Sequence, residues 1–116
     1  MRKSLTREET VKKKSDIDAI FKTGRRFSKS DYKLMVSPNS LNRNRIVVIP
    51  VKKYGNAVQR NRIRRQIKEI WRIEKTQFKN GFDFAFVVYP GKVLDHETQR
   101  KYLIDLFSKA DVYLSK

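Results

Sequence analysis

The sequence predicts an α+β fold: a small sandwich of a central mixed β-sheet, about four strands with three helices, that contains a βαβ crossover. Three patterns carry this prediction. Apolar side chains alternate at 32–36 and at 82–88, as on strands that bury one face. The run at 46–51 is continuously apolar, as in a buried strand. Apolar residues at helical spacing then recur at 63–71.

The chain opens with a basic stretch and a short helix. Residues 1–14 lack apolar periodicity, so we predict a largely flexible arm there and a single domain at 15–116. Ser15 has the position of a helix N-cap, and Gly24 is placed to end that helix.

A first strand is predicted at 27–37, an asparagine-rich turn at 37–44 and a second strand at 46–51. Side chains of the first strand alternate between two faces: Tyr32, Leu34 and Val36 on one, Lys33 and Met35 on the other. Pro50 cannot donate a ladder hydrogen bond, so it should lie near the end of its strand, at a sheet edge or a bulge.

The segment 55–72 predicts an amphipathic helix. Asn56 can cap its first turn, and Gln59 can reach back to complete a capping box. The buried stripe consists of Ile63, Ile67, Ile70 and Trp71. The cationic ridge along one flank consists of Arg64, Lys68, Arg72 and Lys75, with Asn61 and Arg65 beside them. Glu69 lies just outside the ridge, where it could pair with Arg65.

The last two elements are a strand and a helix. The alternating run at 82–88 lies between Asn80-Gly81 and Pro90-Gly91, which break the chain. Asp95 is placed to cap the final helix, whose buried stripe is Leu103, Leu106, Phe107 and Ala110. The unit at 46–89 is a βαβ crossover, which the general rule would make right-handed.

Charge indicates the class of partner. The 116 residues include 28 Lys and Arg against 12 Asp and Glu, a net charge of +16. This excess repels itself in a folded domain and therefore points to a polyanion. Nucleic acid is favoured because an Arg-rich helix suits bidentate phosphate contacts. A membrane surface is disfavoured because the β-branched face of the basic helix suits packing on a sheet.

Other classes are excluded by composition. The chain has no cysteine, hence no disulfide and no Cys-based zinc site. It has no apolar run long enough for a signal peptide or a membrane span, so we expect a cytoplasmic protein with no membrane partner and no small-molecule substrate. His96 is the only histidine and the carboxylates are scattered, so no catalytic residue and no protein-bound metal are predicted.

Residues 52–65 read K-K-Y-G-N-A-V-Q-R-N-R-I-R-R. This segment closely resembles the signature K-K-x-G-N-A-V-x-R-N-R-x-[KR]-R of the protein component of bacterial ribonuclease P, and weaker similarity covers 16–24, 81–83 and 103–107. The resemblance implies an α+β sandwich with a left-handed crossover, in place of the right-handed one. It implies a protein subunit of ribonuclease P, an endoribonuclease whose catalytic RNA uses Mg²⁺ to remove the 5′ leader of precursor tRNA.

The resemblance also implies site residues. The RNA-binding set is Lys52, Lys53, Arg60, Asn61, Arg62, Arg64, Arg65 and Lys68, to which the ridge adds Arg72. The groove for the single-stranded leader is assigned to Phe21, Tyr32, Lys33, Met35, Ile49 and Lys53. The partners implied are the catalytic RNA and precursor tRNA, with Mg²⁺ acting through the RNA and none bound by the protein alone.

Some positions depart from the family pattern. Val47, Ile49 and Val51 stand where a Gly and two Ser are usual. Ile17 and Met35 replace aromatic residues, and Tyr89 replaces an Arg. A groove built from these residues is more apolar and offers fewer hydrogen bonds.

Alternative readings concern both the function and single residues. A ribosomal-type structural RNA-binding protein, or a DNA-binding domain that places the basic helix in a major groove, would have a similar charge. The cationic ridge could be an ordinary solvated face, although such faces usually interleave acidic residues. Phe21 and Tyr32 could equally be core residues.

Overall fold

The computed structural model describes residues 9–91 and 94–114. These residues form three α-helices and four β-strands, which confirms the predicted α+β class. In chain order the elements are α1 (Lys14–Thr23), β1 (Arg25–Lys29), β2 (Tyr32–Pro38), β3 (Arg45–Pro50), α2 (Ala57–Glu74), β4 (Phe82–Val88) and α3 (His96–Lys109).

The four strands form one mixed sheet in the order β1-β2-β4-β3. β2 pairs antiparallel with both β1 and β4, whereas β3 pairs parallel with β4. The parallel pair and α2 between its strands form the predicted βαβ crossover. The left-handedness of that crossover stays a prediction from the resemblance. Pro50 is the last residue of β3, at the sheet edge, as predicted for a residue that cannot donate to the ladder.

The main core lies between one face of the sheet and helices α2 and α3. The predicted stripe of α2 is buried there, with Trp71 fully enclosed. An aromatic cluster fills the centre: Phe78 lies 4.9 Å from Phe107 and 5.2 Å from Phe84 between ring centroids. Because the strands alternate, Leu34 and its even-numbered neighbours on β2 enter this layer, as predicted.

A smaller layer covers the opposite face of the sheet. Ile20 of α1 packs there against Met35, Ala85 and Val87, and Val11 joins them from the segment before the helix. α1 is short and covers only part of this face. Both faces of the sheet are therefore buried, but unequally.

The predicted start of α1 is wrong by two residues. The helix begins at Lys14, and the flanking Lys13 makes no side-chain capping bond. Ser15 is already within the first turn and caps nothing. The predicted end is confirmed, since Gly24 follows the last helical residue and its N–H donates to Ile20 O at 2.8 Å.

The single strand predicted at 27–37 is a hairpin. β1 and β2 are joined at Ser30 and Asp31, and Ser30 has φ of 54°, in the left-handed region. Such turns usually carry Gly or Asn, and the absence of either hid the reversal from the sequence pattern.

Part of the predicted arm is attached to the domain. The Val11 side chain is buried and its N–H donates to Ile46 O at 3.1 Å, while Glu9 forms an ion pair with Lys75 at 2.8 Å. The prediction for residues 1–8 lies outside the described residues.

Trp71→Ala should lower the free energy of unfolding by about 3–5 kcal/mol, because it leaves a large cavity in the aromatic cluster. The matched control is Ile73→Ala, two residues further along α2 at a side chain that is 42% exposed, where the loss should be below about 1 kcal/mol. Urea denaturation followed by circular dichroism measures both. Equal losses would show that Trp71 does not anchor the core.

Candidate nucleic-acid interface

The basic helix begins with the predicted capping box. Asn56 Oδ1 accepts from the Gln59 N–H at 2.9 Å, and Gln59 Oε1 accepts from the Asn56 N–H at 3.0 Å. A Cβ at Gly55 would lie only 2.1 Å from Gln59 Oε1, so glycine at this position leaves room for the reciprocal bond. The cap fixes where α2 starts and hence which side chains share a face.

The first two-thirds of α2 carry most of the uncompensated charge. Arg62 and Arg65 are exposed and have no acidic partner within the described residues. Arg64 Nη1 donates to Asn61 Oδ1 at 2.8 Å, which orients both side chains without neutralising the cation. Lys68 is half-buried; burial and then the Arg64 charge lower its pKa. An anion opposite this face would relieve the repulsion.

The end of the ridge is compensated, contrary to prediction. Glu69 pairs with Arg72, three residues on, and not with Arg65; the Arg72 Nε donates to Glu69 Oε1 at 3.1 Å. Lys75 pairs with Glu9. Charge for an external partner is therefore concentrated toward the start of α2, and Arg72 is the weakest member of the predicted RNA-binding set.

Arg60 and the basic pair occupy the junction between β3 and α2. Arg60 Nη2 donates to Pro50 O at 3.2 Å, so this side chain ties the helix to the end of β3. Lys52 and Lys53 lie in the 3-10 turn Lys52–Tyr54 and are both exposed. They extend the positive surface from the start of α2 toward the sheet edge.

A second surface lies beside α1 on the smaller face of the sheet. Lys33 and Ile49 flank Val87 in the strand register, and both are partly exposed. Phe21 of α1, also partly exposed, borders this strip, and Val51 continues it toward Lys53. We call the partly open strip formed by Phe21, Lys33, Ile49 and Val51 the α1 groove. Its walls are apolar and its end is cationic.

Two residues predicted for this groove do not line it. Tyr32 is buried on the opposite face, where its hydroxyl accepts from Gln99 Nε2 at 3.2 Å and its ring meets Tyr102 edge-on. Burial raises the pKa of Tyr32. Met35 has the predicted orientation but is 1% exposed, because Ile20 covers it. Alternation placed Tyr32 and Met35 on opposite faces, so both could not face one groove.

Sequence reasoning missed the ion network that holds α1 on the sheet. Arg45 donates two hydrogen bonds to the Asp83 carboxylate, at 2.8 and 2.7 Å, and lies 3.5 Å from Asp16 of α1. The bonds to Asp83 raise the pKa of Arg45 despite its partial burial. Asn39 Nδ2 also donates to Asp83 at 2.9 Å. The visible sign was Asp83, a carboxylate inside an otherwise apolar strand.

The described carboxylates and the single histidine do not form a metal-binding cluster. Across residues 9–91 and 94–114, no three His, Asp or Glu side chains are arranged to hold a metal ion. The same residues contain no helix that is both long and apolar enough to cross a membrane.

The chain matches the family model described as Ribonuclease P over residues 5–111. It is 40% identical to the ribonuclease P protein component of Petrotoga mobilis over 81 residues, which cover 70% of this chain and 69% of that protein. It is 33% identical to the ribonuclease P protein component of Thermotoga maritima over 100 residues, which cover 86% of this chain and 84% of that protein.

Solved structures agree with the fold. The ribonuclease P protein of Thermotoga maritima superposes with a TM-score of 0.77 at 26% identity, covering 87% of this chain and 96% of that one. The ribonuclease P protein of Staphylococcus aureus superposes with a TM-score of 0.83 at 25% identity, covering 91% and 98%.

Arg65→Ala should weaken binding to a structured RNA and reduce the slope of log affinity against log salt by about one, because one phosphate contact is lost. The control is Lys101→Ala, at an exposed lysine on α3 that pairs with Glu97 and does not belong to the ridge, which should leave the slope unchanged. Binding is measured at several salt concentrations, with circular dichroism melts to check folding. An unchanged slope for Arg65→Ala would remove this face from the interface.

Proposed function

This chain belongs to the ribonuclease P protein family, and we propose that it is the protein subunit of a cytoplasmic ribonucleoprotein that removes the 5′ leader of precursor tRNA. Its partners in this proposal are a catalytic RNA and precursor tRNA. The single observation that carries the proposal is the cationic start of α2, built on the family's signature segment, where Arg62 and Arg65 have no acidic partner among the residues that the structure describes. The family match favours this function over the ribosomal and DNA-binding alternatives.

The catalytic RNA is the partner proposed for the start of α2. Arg62, Arg64 and Arg65 present guanidinium groups, which bind phosphate oxygens through paired hydrogen bonds. The capping box and the buried stripe hold the helix rigid, so these cations are presented without a large ordering cost. Lys52 and Lys53 continue the same surface around the end of β3.

The leader is the partner proposed for the α1 groove. Single-stranded RNA is held where bases can rest on aromatic or apolar side chains while cations meet the phosphates. Phe21, Ile49 and Val51 supply the apolar walls, and Lys33 and Lys53 supply the charge. Val51 and Ile49 offer no hydrogen-bond donor, so this groove should hold the leader mainly by contact and charge, with little reading of base edges.

The chemistry is assigned to the RNA. Phosphodiester cleavage by two metal ions needs several carboxylates converging on one place, and the described residues of this chain offer no such group. In this proposal Mg²⁺ is bound by the catalytic RNA. The protein contributes binding and orientation, and none of its side chains takes part in bond breaking.

The proposal is tested by reconstitution. The full chain mixed with the catalytic RNA of its own source should cleave precursor tRNA at the 5′ end of the mature sequence, at lower Mg²⁺ and lower substrate concentration than the RNA alone. RNA-free protein should be inactive, because residues 9–91 and 94–114 offer no group of side chains that could hold the metal ions for the reaction. Cleavage by the protein alone, or no effect of the protein on the RNA, would contradict the proposal.

Leader length tests the groove separately. Phe21→Ala and Lys53→Ala should each raise KM for precursors with leaders several nucleotides long, by about fivefold or more if one stacked base or ion pair is lost. Neither should change KM for a one-nucleotide leader, which leaves the groove empty. Phe27→Ala is the matched control, since Phe27 packs on the opposite face. An equal rise for long and short leaders would instead indicate a role in folding or in RNA assembly.

A further inference from the structure

A second concave site lies on the other side of the turn that carries the basic pair. A cavity of about 240 Å³ opens between the first half of α2 and the segment that follows β4. It is lined by Tyr54, Gln59, Arg62, Ile63, Gln66, Pro90 and Gly91. It borders the cationic start of α2 but shares no residue with the α1 groove.

The walls of this cavity are held in place. Tyr54 packs on the main core and Ile63 is buried beneath it. Gln59 is fixed by the capping box. Opposite, a Cβ at Gly91 would lie only 1.7 Å from Asp31 Oδ2, so the backbone passes directly against that side chain. Tyr54, Ile63 and Pro90 thus supply an apolar floor and wall, and the exposed side chains of Gln59, Arg62 and Gln66 form the rim.

The hydrogen-bonding groups in the cavity are mostly donors. Gln99 is buried, and its Nε2 donates to both Tyr32 Oη at 3.2 Å and Gln66 Oε1 at 3.3 Å. This bond takes up one lone pair of the Gln66 oxygen, whereas the Gln66 amide nitrogen has no acceptor within the described residues. The cap likewise takes up one lone pair of the Gln59 oxygen.

Two further groups complete the set. The Arg62 guanidinium supplies only donors. The Tyr54 hydroxyl has no hydrogen-bond partner within the part of the chain that the structure describes. Burial raises the pKa of the Tyr54 hydroxyl, and the nearby Arg62 charge lowers it by less. The side chains thus offer two amide nitrogens, one guanidinium and one hydroxyl.

We propose that this cavity binds an unpaired nucleobase of RNA and prefers guanine to adenine. The inference rests on the proposed function for the presence of RNA and on the cavity itself for the base. Tyr54 and Pro90 offer flat surfaces to the base faces. Guanine presents two adjacent acceptors, O6 and N7, to a set of donors, whereas adenine presents its N6 amino group, which donates. Arg65, the exposed neighbour of Gln66 on α2, is available to a flanking phosphate.

The test is an NMR titration of the ¹⁵N-labelled full chain with GMP, AMP and inorganic phosphate. GMP should shift the Gln66 side-chain amide and the Tyr54 and Gly91 backbone amides, with a dissociation constant about tenfold below that of AMP, as expected for one base-edge recognition pair. Phosphate should shift only resonances of the cationic face. Equal effects of GMP and AMP, or shifts confined to that face, would overturn the proposal.

A pair of variants assigns the selectivity to the cavity. Gln66→Leu should abolish the preference for GMP and leave the phosphate-induced shifts of Arg64 and Arg65 unchanged. Gln77→Leu, the same chemical change at an exposed glutamine outside the cavity, should retain the preference. Retention by Gln66→Leu would overturn the assignment of Gln66. Reconstituted precursor cleavage reports on the proposed function independently: full cleavage by a protein without GMP preference would leave that function standing and remove only the base site.

Discussion

The structure depends on the double burial of the central strand β4. This strand pairs with β2 on one side and with β3 on the other, so both of its edges are hydrogen-bonded within the sheet. Phe84 and Phe86 enter the main core beneath α2 and α3, and Ala85 and Val87 enter the layer beneath α1. The buried residues of the main layer include the large aromatic side chains, whereas those of the other layer are not aromatic and the short α1 covers only part of that face. That asymmetry leaves the α1 groove open beside the short helix.

The placement of acidic residues explains how a chain with a net charge of +16 stays folded. Several acids pair with cations at joints between elements: Asp83 and Asp16 with Arg45, Glu74 with Arg100, and Glu9 with Lys75. Glu74 and Asp83 are buried, so these pairs act in surroundings less polar than water. None of these joints involves Arg62 or Arg65. The fold thus uses its few carboxylates for assembly and leaves the start of α2 positive.

Periodicity predicted the elements and the core well, because burial on a regular strand or helix leaves a repeating pattern. The stripe of α2, the capping box at Asn56 and the Asp95 cap, whose carboxylate accepts from the Thr98 N–H at 2.8 Å, are all confirmed. Features without a period were missed. The turn at Ser30 relies on an unusual backbone conformation of a serine. Arg45 meets Asp16 and Asp83 only in three dimensions.

The residues of the candidate site were predicted less accurately than the fold, because side-chain pairing also leaves no repeating pattern in the sequence. A helical wheel places Arg64 and Arg65 on the open face, but it does not show that Glu69 turns to Arg72 or that Arg60 turns to Pro50 O. Assigning Tyr32 to the groove required knowing which face of β2 meets α1. The hydrogen bonds from Gln99 to Tyr32 and to Gln66 link three elements that are far apart in sequence, and no local sequence pattern indicates them.

The parallel pairing of β3 and β4 explains why both proposed RNA sites meet at one edge. Parallel strands end on the same side of a sheet, so the turn after β3 lies beside the segment after β4. The Val51 N–H donates to Val88 O at 3.0 Å, which joins the two exits directly. At this joint Val51 borders the α1 groove, and Tyr54, three residues further on, lines the cavity beside Pro90. Because α2 begins immediately afterward, its positive N-terminal end and its first arginines lie at the same edge. If β3 and β4 were antiparallel, they would end at opposite edges of the sheet. The parallel pairing therefore brings the charge, the groove and the cavity together.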